Sequence, residues 1–132
     1  MKASPDVAGR RKRLAGLCTA LPEAEVESIG RRDEHLAFKV RGKVFAYYLY
    51  DHHGDARIAL WCKAPPGEQA SLVAENPRRY FVPPYLGPRG WIGMRLDTPS
   101  VAWRVVEQLV LVAYLMTAPE KRRKPPGRGA AR

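Results

Sequence analysis

An α+β domain is the fold class that this sequence predicts: a twisted antiparallel sheet with helices on one side, in the order α-β-β-β-β-α-β-α. Three observations carry the prediction. Residues 35–41, 44–50 and 57–63 are apolar-rich segments that follow one another directly, and HLAFKVR alternates cleanly. They are joined by Arg41-Gly42-Lys43 and Asp51-His52-His53-Gly54-Asp55, turns that suit hairpins and are too short for a parallel crossover. Helical periodicity lies outside this block, so helices gather against the sheet instead of alternating with strands.

The elements are justified in order. Ser4-Pro5 offers an N-cap followed by proline at the first helical position. Val7, Leu14, Leu17, Cys18 and Leu21 then recur at helical spacing until Pro22. Ala24–Ile29 is a short first strand. In 35–41, Leu36, Phe38 and Val40 face one way and Lys39 and Arg41 the other. In VFAYYLY, alternation from the turn puts Phe45, Tyr47 and Leu49 inward and Ala46, Tyr48 and Tyr50 outward. In RIALWCK, Ile58, Leu60 and Cys62 point inward and Arg57, Trp61 and Lys63 outward. Pro65-Pro66-Gly67 ends that strand. A short helix follows over 67–76, with Leu72 and Val73 as its apolar contacts, and RRYFV (78–82) is extended. WIGMRL (91–96) is a strand with Ile92, Met94 and Leu96 inward and Trp91 and Arg95 outward. Asp97-Thr98-Pro99 caps a last helix over 99–117, with Ala102, Val105, Leu109, Val112 and Met116 as its buried stripe.

The 132 residues suit one domain, placed at 1–118. The tail 119–132 has nothing apolar to fold with and is expected to be disordered. The net charge is +10, and nine of those charges lie in residues 1–13 and 119–132. Lys121, Arg122, Arg123 and Lys124 form the densest run. Basic ends of this kind attract polyanions or serve as a solubilising fringe. Only Cys18 and Cys62 are present, in apolar surroundings that fit buried free thiols. The N-terminal residues lack a secretory apolar region, and the longest apolar run, 109–116, is far short of a membrane span. A cytoplasmic protein with no membrane partner is expected.

Four longer runs add a family resemblance. DEHLAFKVRGKVFAYY, ALWCKAPPGEQ, YFVPPYLGPRGWIGMRLD and AYLMTAPEKRRK together resemble the MmcQ/YjbR family, over about residues 5–122. The resemblance implies an α+β fold akin to type III secretion chaperones. It also implies a DNA-binding label that rests on fold comparison, and no catalytic residues. Fold alone does not license a function.

Candidate sites follow from the residues. PPYLGPRGW (83–91) packs three prolines, two glycines and two aromatics into nine positions, which makes it an ordered loop and not a linker. It is either a rigid closure of the sheet edge or one side of a groove formed by Tyr85, Arg89 and Trp91. It is not a PPxY or PxxP ligand. DHHGD at 51–55 resembles the Asp-His-His of DHH phosphoesterases, but their other motifs are missing and turn chemistry explains it. No metal and no cofactor is expected there or elsewhere. GxSxG, P-loop and CxxC motifs are absent, so no enzyme is expected.

The outward sheet face gathers Lys39, Arg41, Tyr48, Tyr50, Arg57, Trp61, Lys63, Trp91 and Arg95, with Arg89 beside it. Cations interleaved with flat aromatics suit phosphates and stacked bases. Against this, Glu25 and Glu27 could pair with the cations while a loop or second subunit covers the aromatics. The leading expectation is a non-enzymatic nucleic-acid-binding protein, monomeric or homodimeric. The alternative is a protein-interaction module with the aromatic face as its interface. A small-molecule site under PPYLGPRGW is a third reading.

Overall fold

The computed structural model describes residues 6–51 and 57–118. Its order is α1 (Val7–Thr19), β1 (Ala24–Ile29), β2 (His35–Val40), β3 (Lys43–Tyr50), β4 (Ile58–Cys62), α2 (Glu68–Glu75), β5 (Tyr80–Phe81), β6 (Ile92–Arg95) and α3 (Trp103–Thr117). The predicted α+β order holds, and the extended segment at 78–82 contributes the two-residue strand β5. Every pairing is antiparallel, in the spatial order β1-β2-β3-β4-β6-β5. Exposed Glu25 and Glu27 guard the edge strand β1, as charged edges do.

The β2–β3 hairpin turns on Arg41 and Gly42, with φ of 53° and 83°. Val40 and Lys43 face each other across it, so this is a two-residue turn with both central residues left-handed. From there simple alternation would set Phe45 opposite Phe38. The register instead shifts: Lys39 pairs with Val44, but Phe38 pairs with Ala46. Phe45 is therefore the extra residue of a β-bulge. It turns inward and meets Tyr114 edge-on, with ring centroids 5.5 Å apart. Beyond the bulge the face assignment of β3 reverses. Ala46 and Tyr48 point to the core, while Tyr47 and Leu49 point outward. This corrects the expectation for Tyr48, which is fully buried on the inner face.

Helices α1 and α3 cover the inner face. Leu36, Phe38, Val40, Tyr48, Ile58, Leu60, Cys62, Ile92, Met94 and Leu96 meet Leu14, Cys18, Val106, Val110 and Tyr114 there. Two helix boundaries differ from expectation. Asp6 caps α1, accepting from the Gly9 N–H at 2.9 Å, and Ser4 and Pro5 lie outside the described residues. α3 starts at Trp103 instead of 99. Asp97 is held by Arg95 in two hydrogen bonds of 3.0 Å and cannot cap. Arg10 donates to the carbonyls of Leu96, Thr98 and Pro99, which ties that bent connector to α1. The fully buried residues of α3 are Val106, Val110, Ala113 and Tyr114, and the expected Ala102, Val105 and Leu109 pack half-buried against the same core. Val112 and Met116, expected inside, are exposed together with Leu111 and Leu115.

Candidate functional site

The outer face of the sheet carries its own small core. Leu49, Ala59, Trp61 and Trp91 are buried there, with Val44, Tyr47, Phe81 and Leu86 packed on them. Trp61 and Trp91 are each only 5% exposed. Their cover is the loop after β5. Pro83 is buried and Leu86 sits against the tryptophans. The loop closes on itself through Gly87 N–H to Pro83 O (2.9 Å), Gly90 N–H to Gly87 O (2.9 Å) and Trp91 N–H to Leu86 O (3.3 Å). Gln69 of α2 clamps it from outside, its Nε2 donating to Gly87 O at 2.9 Å and Trp91 O at 2.6 Å. The stiffness of PPYLGPRGW is thus that of a lid seated on an apolar face. One residue bears strain: Tyr85 has φ of 67° and is 74% exposed. A left-handed non-glycine residue costs about 1–2 kcal/mol, so the closed loop holds this aromatic outward against its own preference.

The expected cations are mostly occupied. Lys39 pairs with Glu27, and that partner raises its pKa above the ordinary lysine value. Arg41 lies 3.3 Å from Glu23. Arg57 stands over the Phe81 ring, 4.7 Å from its centroid. Arg95 is bound to Asp97 at 3.0 Å. Tyr50 follows Tyr48 onto the inner side but lies at the strand end, exposed beside Arg31, Arg32 and Asp51. The expected open basic-aromatic face is therefore dispersed. Its tryptophans are capped, its tyrosines belong to the other side, and four of its cations have partners.

Two features remain in the open. The first is a cationic corner. The Lys63 N–H reaches Phe45 O at 3.3 Å, which sets Lys63 beside the start of β3, where Lys43 sits. A methyl group at Gly90 would stand 4.0 Å from the carbonyl of Ala64, so the end of the loop, with Arg89 just before it, runs beside the residue that follows Lys63. Partial burial, then the charges of Lys43 and Arg89, push the Lys63 ammonium below the ordinary lysine pKa. The second is a cleft of about 290 Å³ under the loop, with Tyr47, Leu49 and Trp61 as its floor and Tyr85 and Leu86 as its rim. Ile29 and His35 close its far side. The Tyr50 N–H donates to His35 Nδ1 at 3.1 Å.

With this geometry in place, comparison with known proteins gives the family. The YjbR family model matches residues 19–116. The chain belongs to the YjbR family. A similar solved structure is Deinococcus radiodurans protein DR2400, which carries the DUF419 domain. It is 22% identical, covers 91% of this chain and 86% of its own, and superposes with a TM-score of 0.67. At that identity the likeness establishes a shared fold. No curated protein matches the sequence.

Some expectations for this YjbR chain fall on residues that are not described. These are His52, His53, Gly54 and Asp55 of the DHHGD turn and the basic run Lys121, Arg122, Arg123 and Lys124. Among the described residues no cluster of three His, Cys, Asp or Glu is placed to hold a metal. None of the described helices is long and apolar enough to cross a membrane. The sequence reading missed Lys43, Tyr47 and Leu49 as surface-facing members of the YjbR sheet. Lys43 reads as turn punctuation, and the other two are displaced by the bulge.

Proposed function

We propose that this YjbR protein binds nucleic acid without catalysing a reaction, and that phosphates sit at the corner formed by Lys43, Lys63 and Arg89. One observation carries the reading. Three cations from three separate segments converge, and none has a carboxylate partner within ion-pair distance among the described residues. Elsewhere on the molecule Lys39, Arg41 and Arg95 are each neutralised by an acid. Gathered like charges repel in the free protein and are relieved when a polyanion binds. The basic ends at 1–13 and 119–132 add non-specific attraction to the same ligand. Buried free thiols at Cys18 and Cys62 suit a reducing, cytoplasmic setting. The test is oligonucleotide affinity across a salt series. Replacing all three corner residues with alanine should reduce the duplex salt slope by about 0.9 for each phosphate that is no longer neutralised. An unchanged slope sinks the reading.

A second reading has its own observation. Leu111, Val112, Leu115 and Met116 form an exposed apolar ridge on α3, which supports an interaction module that pairs with a second copy. The ridge replaces the aromatic face as its interface, because the loop already covers Trp61 and Trp91. Sedimentation of the wild type against Leu115→Glu decides it: a monomer in both cases rules the dimer out.

A further inference from the structure

We infer that the cleft between Tyr85 and Trp61 receives a single unstacked nucleobase from a strand whose phosphate lies at the cationic corner. This deepens the nucleic-acid reading above and rests on it.

The cleft has the right surfaces. Three aromatic side chains, Tyr47, Trp61 and Tyr85, line it together with Leu49 and Leu86. Tyr85, 74% exposed, is the open ring that a base can stack on without hydrogen-bond readout, while Trp61, 5% exposed, closes the floor beneath it. Its volume of about 290 Å³ lies at the small end of ligand pockets, which suits one ring system and not an extended ligand. The imidazole of His35 gives the wall one polar group. Because its Nδ1 accepts from Tyr50, the neutral ring carries its proton on Nε2.

The strained residue fits the same role. Tyr85 is the exposed aromatic of the lid and sits at the mouth of the cleft with φ of 67°. Strain of this kind persists only where the surrounding structure imposes it, and it clusters at ligand clamps. The hydrogen bonds from Gly87 and Gln69 impose it here. A ring pre-set at the rim loses little freedom when a base slides beneath it.

Position relative to the corner completes the case. Lys63 follows Trp61 by two residues, so it shares the outer face of the chain about 6–7 Å further along. Arg89 and Tyr85 belong to one loop, with Arg89 at the corner and Tyr85 at the cleft. A nucleotide whose phosphate rests on Lys63 and Arg89 can place its base toward Trp61 and the rim.

The experiment compares a short oligothymidine strand with an abasic strand of equal length, which has the same phosphates and no bases. Binding is read by fluorescence anisotropy for the wild type, Tyr85→Gly and Lys63→Ala. Glycine at 85 removes the ring and relieves the left-handed strain, so the variant stays folded. The wild type should bind oligothymidine about tenfold or more tightly than the abasic strand. Tyr85→Gly should abolish that difference and leave abasic binding unchanged. Lys63→Ala should weaken both strands alike. Equal, salt-sensitive binding of the two strands by the wild type would overturn the base site while leaving the phosphate corner standing. Failure to bind either strand would overturn both. Displacement of the strand by micromolar thymidine 5′-monophosphate would overturn the strand as the source and assign the cleft to a free nucleotide.

Discussion

The Phe81 ring lies so close over Gly93, its cross-strand partner in β6, that a methyl group at 93 would stand 2.5 Å from two ring carbons. Gly93 also faces Trp61 across the β4–β6 pairing. The missing side chain thus lets the ring close over the sheet, and Arg57 then stacks on that ring.

Gly93→Ala should displace Phe81 and loosen the outer core around the tryptophans. Overpacking of this kind costs about 1–3 kcal/mol. Denaturant titration measures the loss, and a red shift of tryptophan emission should accompany it. Unchanged stability would mean that the ring moves aside freely and does not anchor the outer face.

Two buried tyrosines of the inner core, Tyr114 and Tyr48, should respond oppositely to loss of their hydroxyls. Tyr114 Oη donates to Pro22 O at 2.7 Å and ties α3 to the end of α1. Tyr48 Oη is buried without a protein hydrogen-bond partner among the described residues. Burial pushes its pKa up to about 12, against the weaker pull of Arg11, whose guanidinium lies 5.7 Å from the ring centroid. Tyr114→Phe should cost about 1 kcal/mol. Tyr48→Phe should leave the melting temperature unchanged or raise it. Equal destabilisation by both would contradict this difference in bonding.

Much of the fold is legible in the sequence because period and turn chemistry agree locally. Arg41-Gly42 marks its hairpin, and Leu36, Phe38 and Val40 can satisfy only one face. The β3 run is different. Phe45, Tyr47 and Leu49 on one side and Ala46, Tyr48 and Tyr50 on the other are both apolar enough to be buried, so composition cannot reveal a bulge that inverts them. The consequence reaches the site, since alternation alone assigns Tyr48 and Tyr50 to the wrong face. The capped tryptophans are hidden for another reason. Alternation gives the side of a sheet but not what lies over it, and here Leu86 and Pro83 arrive from a loop more than 20 residues after Trp61. The ion pairs of Lys39 and Arg41 are half visible. Glu27 suggests itself as a partner from its place in β1, whereas Glu23 requires the actual register.

Cys18 and Cys62 should be inert in the native protein. Both are fully buried, and burial pushes the Cys62 thiol up to about 12 and raises Cys18 as well, with Cys62 adding to the latter shift. A thiol-reactive disulfide reagent at neutral pH should label neither until the protein unfolds, then both. The sign for stability follows from linkage. The unfolded chain loses these protons near its ordinary thiol pKa of about 8.5, while the folded chain keeps them. Stability is therefore intact below that value and falls as pH rises from there toward 12. Rapid native labelling of one thiol would show that its cover opens.

Lys63 should trade stability for binding. Partial burial and the charges of Lys43 and Arg89 lower its pKa, so the folded state holds this proton less firmly than the unfolded chain. By linkage that penalty on folding is present at neutral pH and is relieved as pH rises through the lowered pKa. Lys63→Met keeps the aliphatic stem and removes the repelled charge, and should raise the melting temperature slightly at neutral pH. The same variant should weaken oligonucleotide binding, because one phosphate is then left without its cation. Competitive acylation supplies an independent check. A lowered pKa leaves more free amine, so Lys63 should be modified before Lys39, whose pKa Glu27 raises. Bound oligonucleotide should protect Lys63 and leave Lys39 unaffected. A melting temperature lowered by Lys63→Met, together with unchanged oligonucleotide affinity, would remove this lysine from the corner and leave it a packing residue at the end of β4.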